Sequence, residues 1–112
     1  MSNSLTIENY QEVVNKWINE VGGGYFHPTT NVCMLAEEVG EVSRLISRKY
    51  GEQKFKAGET PQNFNEALAD ELVDVFFVLT CIANEQEINL EESIMRNMDK
   101  KYSRDSNRYL QT

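Results

Sequence analysis

Apolar residues recur along this chain at three- and four-residue spacing, and no stretch alternates strictly between apolar and polar. That is the pattern of amphipathic helices and not of strands. Over 5–21, Ile7, Tyr10, Val14, Trp17 and Val21 form one stripe, which Val13 and Ile18 widen. Gly22, Gly23 and Gly24 stop it. A second helix is expected to open at Thr29 or Thr30, either able to cap it just after Pro28, and to run to Tyr50, where Gly51 ends it. Asn63 with Glu66, and Asn89 with Glu92, read as capping boxes. They open a third helix reaching about Asn84 and a fourth running through Lys101. The segment 51–61 is expected to be a polar surface loop. The polar tail over 103–112, above all beyond about 105, is expected to fray. The fold class expected is all-α: one domain over 1–112, folded as a four-helix bundle.

Length and charge narrow the picture. A chain of 112 residues buries only a modest core on its own, so a homo-oligomer would help it. The net charge of −7 and pI of about 4.7 argue against nucleic acid and against an anionic membrane surface as partners. They also mean that a phosphate-bearing ligand would need cations to approach. Cys33 and Cys81 have no C-x-x-C spacing and read as free, buried thiols. Met1 to Tyr10 holds no apolar signal core, and the most apolar run, Leu72 to Ala83, is too short to span a bilayer. A cytoplasmic location is the expectation.

The acids fall where apolar residues belong. On a helical wheel with Met34 at zero, Leu45, Val42, Leu35, Ile46, Val39 and Val32 fill an arc from about 20° to 160°. Glu38 falls inside it at about 40° and Glu41 at its edge at about −20°, whereas Glu37 lies about 60° outside zero, toward solvent. On the third helix Phe64, Ile82, Val75, Val78 and Leu68 lie within about 60° of Glu71. Asp74 follows one turn on. Buried carboxylates need a cation. Interhelical salt bridges are the plain alternative, but of Arg44 and Arg48 only Arg48 falls near the Glu41 side. Glu38, Glu41, Glu71 and Asp74 are therefore short of positive charge, and a divalent cation is the simplest remedy. No histidine stands on any of the four helices, which disfavours zinc and ferritin-like di-iron sites. All-oxygen ligands at i, i+3 suit Mg²⁺, or Mn²⁺.

Asn97, Lys101 and Arg104 share a face of the fourth helix, where the two cations could hold phosphate oxygens. A solvated basic helix end is the competing reading. Trp17, Tyr25 and Phe26 are candidates for a wall on which a base stacks, although Trp17 lies on an apolar stripe and core packing competes. His27 reads as a loop or cap residue.

Together Glu37-Glu38-x-x-Glu41, Glu71-x-x-Asp74 in an Ala-Asp-Glu-Leu-Val-Asp-Val setting, and Asn97-x-x-x-Lys101-Tyr102-x-Arg104 resemble the signature of the MazG-like nucleotide pyrophosphohydrolases. The Gly24-Tyr25-Phe26-His27-Pro28 loop and the Tyr50-Gly51-Glu52 turn resemble a short, single-domain bacterial subgroup. The resemblance spans residues 5 to 105. It implies an all-α NTP pyrophosphatase fold, a homodimer or dimer of dimers with the site near the subunit interface, and Mg²⁺-dependent cleavage of an NTP or dNTP between the α and β phosphates, in nucleotide pool housecleaning. It implies Glu38, Glu41, Glu71 and Asp74 as metal ligands. Glu38 or Glu41 would act on the attacking water, and Glu37 would be an auxiliary acid. Many relatives carry glutamate where this chain has Asp70, whose shorter side chain leaves it out of the ligand set. The loop carrying Lys54 and Lys56 would close over the phosphates, with a plain solvent-exposed loop as the alternative. Competing functions are a pyrophosphohydrolase of another substrate, such as phosphoribosyl-ATP, and a non-enzymatic oligomerisation or regulatory module.

Overall fold

Thr6 opens the first helix: its Oγ1 accepts a hydrogen bond from the Asn9 amide at 3.0 Å. In the computed structural model, which describes residues 4–110 and of 106, 107, 109 and 110 only the backbone, that helix is α1 (Ile7–Glu20). Gly23 and Gly24 then take positive φ of 79° and 99°, a conformation that favours glycine. The turn brings the Gly24 amide onto the Ile18 carbonyl at 2.9 Å.

The second helix, α2 (Pro28–Tyr50), starts earlier than the threonines suggest. Its cap is His27, whose Nδ1 accepts from the Thr29 amide at 3.2 Å. Pro28 suits the first helical position because it has no N–H to satisfy there. At the other end a Cβ on Gly51 would meet the Ser47 carbonyl at 2.6 Å, so that exit needs glycine for space. Both asparagine caps form as expected: Asn63 Oδ1 accepts from Glu66 N, and Asn89 Oδ1 from Glu92 N, each at 3.0 Å. They open α3 (Phe64–Glu85) and α4 (Leu90–Leu110).

Over 103–110 the frayed tail expected from the sequence is instead the continuation of α4. No glycine or proline follows Asn89, and Asp105 pairs with Arg104 at 2.8 Å and with Arg108 at 3.7 Å. Of the two, the i, i+3 contact with Arg108 is of the kind that supports a helix. Residues 111 and 112 lie outside the described residues.

α2 and α3 make the principal contact of the fold. They run antiparallel: Tyr50 packs edge-on against Phe64 at one end, and Asn31 and Met34 share a cavity wall with Phe77 and Cys81 near the other. α1 crosses α3 and buries Val14 and Ile18 against Cys81, with Tyr10, Tyr25 and Phe77 around them. Tyr10 stacks on Phe76 with ring centres 5.1 Å apart.

A polar clasp joins α1, the glycine turn, the end of α3 and the start of α4. Gln11 Nε2 donates to Asn84 Oδ1 at 2.9 Å and to the Ile88 carbonyl at 2.8 Å, while Gln11 Oε1 accepts from Leu90 N at 2.8 Å. Asn84 Nδ2 donates to Tyr25 Oη at 3.0 Å, and Tyr25 Oη donates to Asn15 Oδ1 at 2.6 Å. Each member satisfies another, so the cluster fixes the helix ends at little desolvation cost.

The four helices expected from the sequence form, and a single chain leaves them open on the α4 side. α4 packs chiefly on α1, and its Ile94, Met95, Met98 and Tyr102 stay exposed. On α3, Leu72, Val73 and Leu79 are exposed as well. The radius of gyration is 17.7 Å, against about 13 Å for a compact chain of this length. Among the described residues the apolar stripe of α4 is left without a facing stripe. The thiols also split: Cys81 is buried but Cys33 is exposed, both free. No helix among the described residues is long and apolar enough to cross a membrane.

Candidate metal centre and active site

Midway along the α2–α3 seam the antiparallel pairing sets Glu38 opposite Glu71 and Asp74. Each offers a carboxylate oxygen within 4.8 Å of the other two. Glu38 and Glu71 are half-buried and Asp74 is exposed. Among the described residues none of the three has an ion-pair partner.

Glu71 feels this most. Burial raises its pKa above the ordinary carboxylate value of 4.5, and the negative charges of Asp74, Glu38 and Glu41 raise it further; Arg44 pulls the other way. A cluster that holds back a proton in this way has a charge a cation can relieve. Oxygens bound to one octahedral ion at about 2.1 Å lie about 3.0 Å apart when adjacent and about 4.2 Å apart when opposite, so the three carboxylates, within 4.8 Å of one another, would have to draw together to share one ion. The donor set is oxygen only, which fits Mg²⁺ or Mn²⁺ and not a thiophilic metal.

Glu41 stands apart from the trio. Its Oε2 accepts from Arg44 Nε at 3.2 Å, one turn on along α2. The helical wheel assigns the nearby cation to Arg48, which instead donates to Gln53 Oε1. The reason is reach: a flexible arginine bridges i, i+3 even when the wheel separates the two by about 60°. Glu37 and Asp70 are both exposed. Arg44 also lines a cleft with Glu59 of the 51–63 loop, so that loop borders the Glu41 side of the cluster.

The other candidates are scattered. Asn97 and Lys101 are exposed on α4, and the guanidinium of Arg104 is engaged by both oxygens of Asp105, at 2.9 and 2.8 Å. Lys54 folds back to donate to the Gly51 carbonyl at 3.3 Å. Trp17 is half in solvent and meets Phe77 edge-on, 5.8 Å between ring centres. It is thus neither a core residue nor a free stacking plate. It forms one side of a cavity that also takes in Tyr25, Phe26, Met34 and Phe77.

That cavity holds a residue outside the sequence motifs. Asn31 is 3% exposed, and its Nδ2 has no hydrogen-bond partner. The sequence does carry a signal for it. On the same helical wheel Asn31 falls at about 60°, within the apolar arc of α2, as Glu38 does.

An all-helical chain that gathers carboxylates, without histidine, on two adjoining helices offers an all-oxygen donor set. Residues 26–109 match the model of the MazG nucleotide pyrophosphohydrolase domain. The chain belongs to that family, and is an enzyme, a hydrolase, by that membership. YpjD of Bacillus subtilis (strain 168), a protein named as uncharacterized, is 38% identical over 104 residues, which cover 93% of this chain and 90% of YpjD. The crystal structure of B. subtilis YpjD superposes with a TM-score of 0.74 at 38% identity, covering 89% of this chain and 97% of that one. The structure of the Bacillus-conserved MazG protein, a nucleotide pyrophosphohydrolase, gives a TM-score of 0.74 at 31% identity over 95% of this chain and 99% of its own.

Proposed function

We propose that this protein is a Mg²⁺-dependent nucleoside triphosphate pyrophosphohydrolase, cleaving an NTP or dNTP between the α and β phosphates to a monophosphate and pyrophosphate, in nucleotide pool housecleaning. The observation that carries the reading is the trio Glu38, Glu71 and Asp74, without an ion-pair partner among the described residues and with the proton affinity of Glu71 raised by its neighbours.

Glu38, Glu71 and Asp74 would hold the ion, with Glu41 joining them when it leaves Arg44. When bound, Mg²⁺ supplies charge neutralisation for the triphosphate and lowers the pKa of a water. Glu41 and Glu38 are the carboxylates that orient the attacking water at the α-phosphorus and take its proton. Released from Glu41, Arg44 is free to face phosphate oxygens from the loop side. The half-burial of the seam strengthens each of these interactions relative to open water.

The apolar stripes left open on α3 and α4 support a homodimer or a dimer of dimers. Within such an assembly Asn97, Lys101 and Arg104 serve as phosphate contacts where a second copy carries α4 to the cluster. Lys54, on the loop after α2, would add a contact to the phosphates. The test is pyrophosphate release from a panel of canonical, deoxy and oxidised nucleoside triphosphates, with Mg²⁺ and with EDTA, for wild type and Glu71→Gln. Mg²⁺-dependent release that Glu71→Gln abolishes supports the reading; no release from any nucleotide by well-folded protein overturns it.

A further inference from the structure

Arg44 stands near two carboxylates and answers one of them. Its Nε donates to Glu41 Oε2 at 3.2 Å, and both side chains are half in solvent. It also lines a cleft with Glu59, an exposed acid that has no ion-pair partner among the described residues.

The loop after α2 brings Glu59 there by its construction. Arg48 donates to Gln53 Oε1, and Lys54 Nζ to the Gly51 carbonyl, so the start of the loop is tied to the end of α2. The Glu59 amide then closes a turn onto the Lys56 carbonyl at 3.0 Å, with Gly58 at a φ of 82°, a conformation that favours glycine. Arg44 precedes Tyr50, the last residue of α2, by about 9 Å along the helix axis. The loop therefore doubles back along α2 and sets Glu59 beside Arg44.

The pair that Arg44 makes now is easily exchanged. An exposed ion pair contributes little. With a divalent charge at Glu38, Glu71 and Asp74, Glu41 is drawn inward and Arg44 is repelled; both already act on the proton affinity of Glu71, in opposite directions. Arg44 then needs another anion, and the carboxylate that shares its cleft is Glu59.

Resting on the proposed function above, we propose that Glu59 is a positioning residue: it receives Arg44 from Glu41, so that Glu41 joins the carboxylate trio while Arg44 stays held on the loop side. The guanidinium has N–H groups to spare for phosphate oxygens beside the one that Glu59 takes. Occupation of the metal centre and docking of the loop are thereby one event.

The test uses full-length, metal-free protein without substrate. Mn²⁺ is titrated in and followed by electron paramagnetic resonance for wild type, Glu59→Gln, Glu59→Asp, Arg44→Ala and the double variant, with Glu52→Gln as a control for lost charge on the same loop. Glu59→Gln should weaken binding about two- to fivefold, the scale of one exposed ion pair, and Glu59→Asp should keep most of the affinity. On top of Arg44→Ala, Glu59→Gln should change nothing, because no guanidinium is left to receive. Glu52→Gln should bind as wild type does. Amide hydrogen exchange at Gly58 and Glu59 should slow on Mn²⁺ saturation in wild type and not in Arg44→Ala. Wild-type affinity in Glu59→Gln, the same loss on top of Arg44→Ala, the same loss in Glu52→Gln, or exchange that Mn²⁺ leaves unchanged in wild type overturns the inference. Pyrophosphate release without this coupling removes the inference alone. Coupling without release from any nucleotide removes the proposed reaction alone.

Discussion

The α2–α3 seam and α4 are built on opposite plans. The seam carries the principal helix–helix contact, brings acids to its apolar face, and among the described residues gives Glu38, Glu71 and Asp74 no ion-pair partner. α4 answers its own charges, Asp105 taking both Arg104 and Arg108, and leaves its apolar residues bare instead. The seam lacks a cation, whereas α4, like Leu72, Val73 and Leu79 on α3, lacks a covering surface. A polar cluster that its chain does not satisfy points to a ligand; an apolar stripe that its chain does not cover points to another protein surface. The two kinds of incompleteness break under different perturbations.

The largest effect is expected at the seam. Glu71→Gln should lower pyrophosphate release at least about 100-fold, the scale of removing one electrostatic contact to a transition state, with the fold intact by circular dichroism. Turnover within a few-fold of wild type would move the chemistry elsewhere. Next comes the support beneath the seam. Ile18→Ala removes part of the α1–α3 core and should cost about 2–5 kcal/mol in denaturant unfolding; a cost near zero would mean that α1 is not part of the cooperative unit.

On the α4 side, Met95→Lys with Met98→Lys should leave helix content unchanged and shift sedimentation toward the single chain. Unaltered sedimentation would show that this stripe is not the one a second copy covers. A smaller effect separates the regions by pH. Because the folded-state pKa of Glu71 is raised, the folded protein binds that proton more tightly than the unfolded chain does. Metal-free stability should therefore fall as pH rises from about 4.5 through the raised pKa. Glu71→Gln should flatten this dependence in a thermal melt; a wild-type pH profile in that variant would show that another group sets it. The smallest is chemical. A thiol reagent at neutral pH should modify exposed Cys33 and spare Cys81, whose burial raises its pKa; equal labelling would mean that the cavity wall opens readily.

Much of this is legible in the sequence, and the exceptions have physical reasons. Periodicity and the asparagine caps reveal the four helices because short-range hydrogen bonds at Asn63 and Asn89 decide where α3 and α4 begin. Acids inside apolar arcs point to Glu38 and Glu71, which the seam brings together with Asp74, whereas Glu41 of the same reading turns to Arg44. What a wheel does not encode is side-chain reach and tertiary pairing. The turn that Arg44 makes onto Glu41, the His27 cap and the exposure of Cys33 all escape it. Composition alone understates the length of α4, which meets no glycine or proline after Asn89 and runs to Leu110. The openness of the bundle on the α4 side escapes the wheel too, because the stripes on α3 and α4 stay uncovered within one chain. Asn31 obeys the same rule as Glu38, a polar residue inside an apolar arc, but its signal is weaker because an amide carries no charge to demand a partner.

Metal binding without substrate is the decisive measurement. Mn²⁺ is titrated into metal-free protein and followed by electron paramagnetic resonance, for wild type, Glu38→Gln, Glu71→Gln, Asp74→Asn and Glu37→Gln. If the trio holds the ion, the first three substitutions each weaken binding at least about tenfold, while Glu37→Gln, on the solvent side of α2, leaves it unchanged. Wild-type affinity in all three variants of the trio would place the cation elsewhere and remove the basis for the proposed reaction.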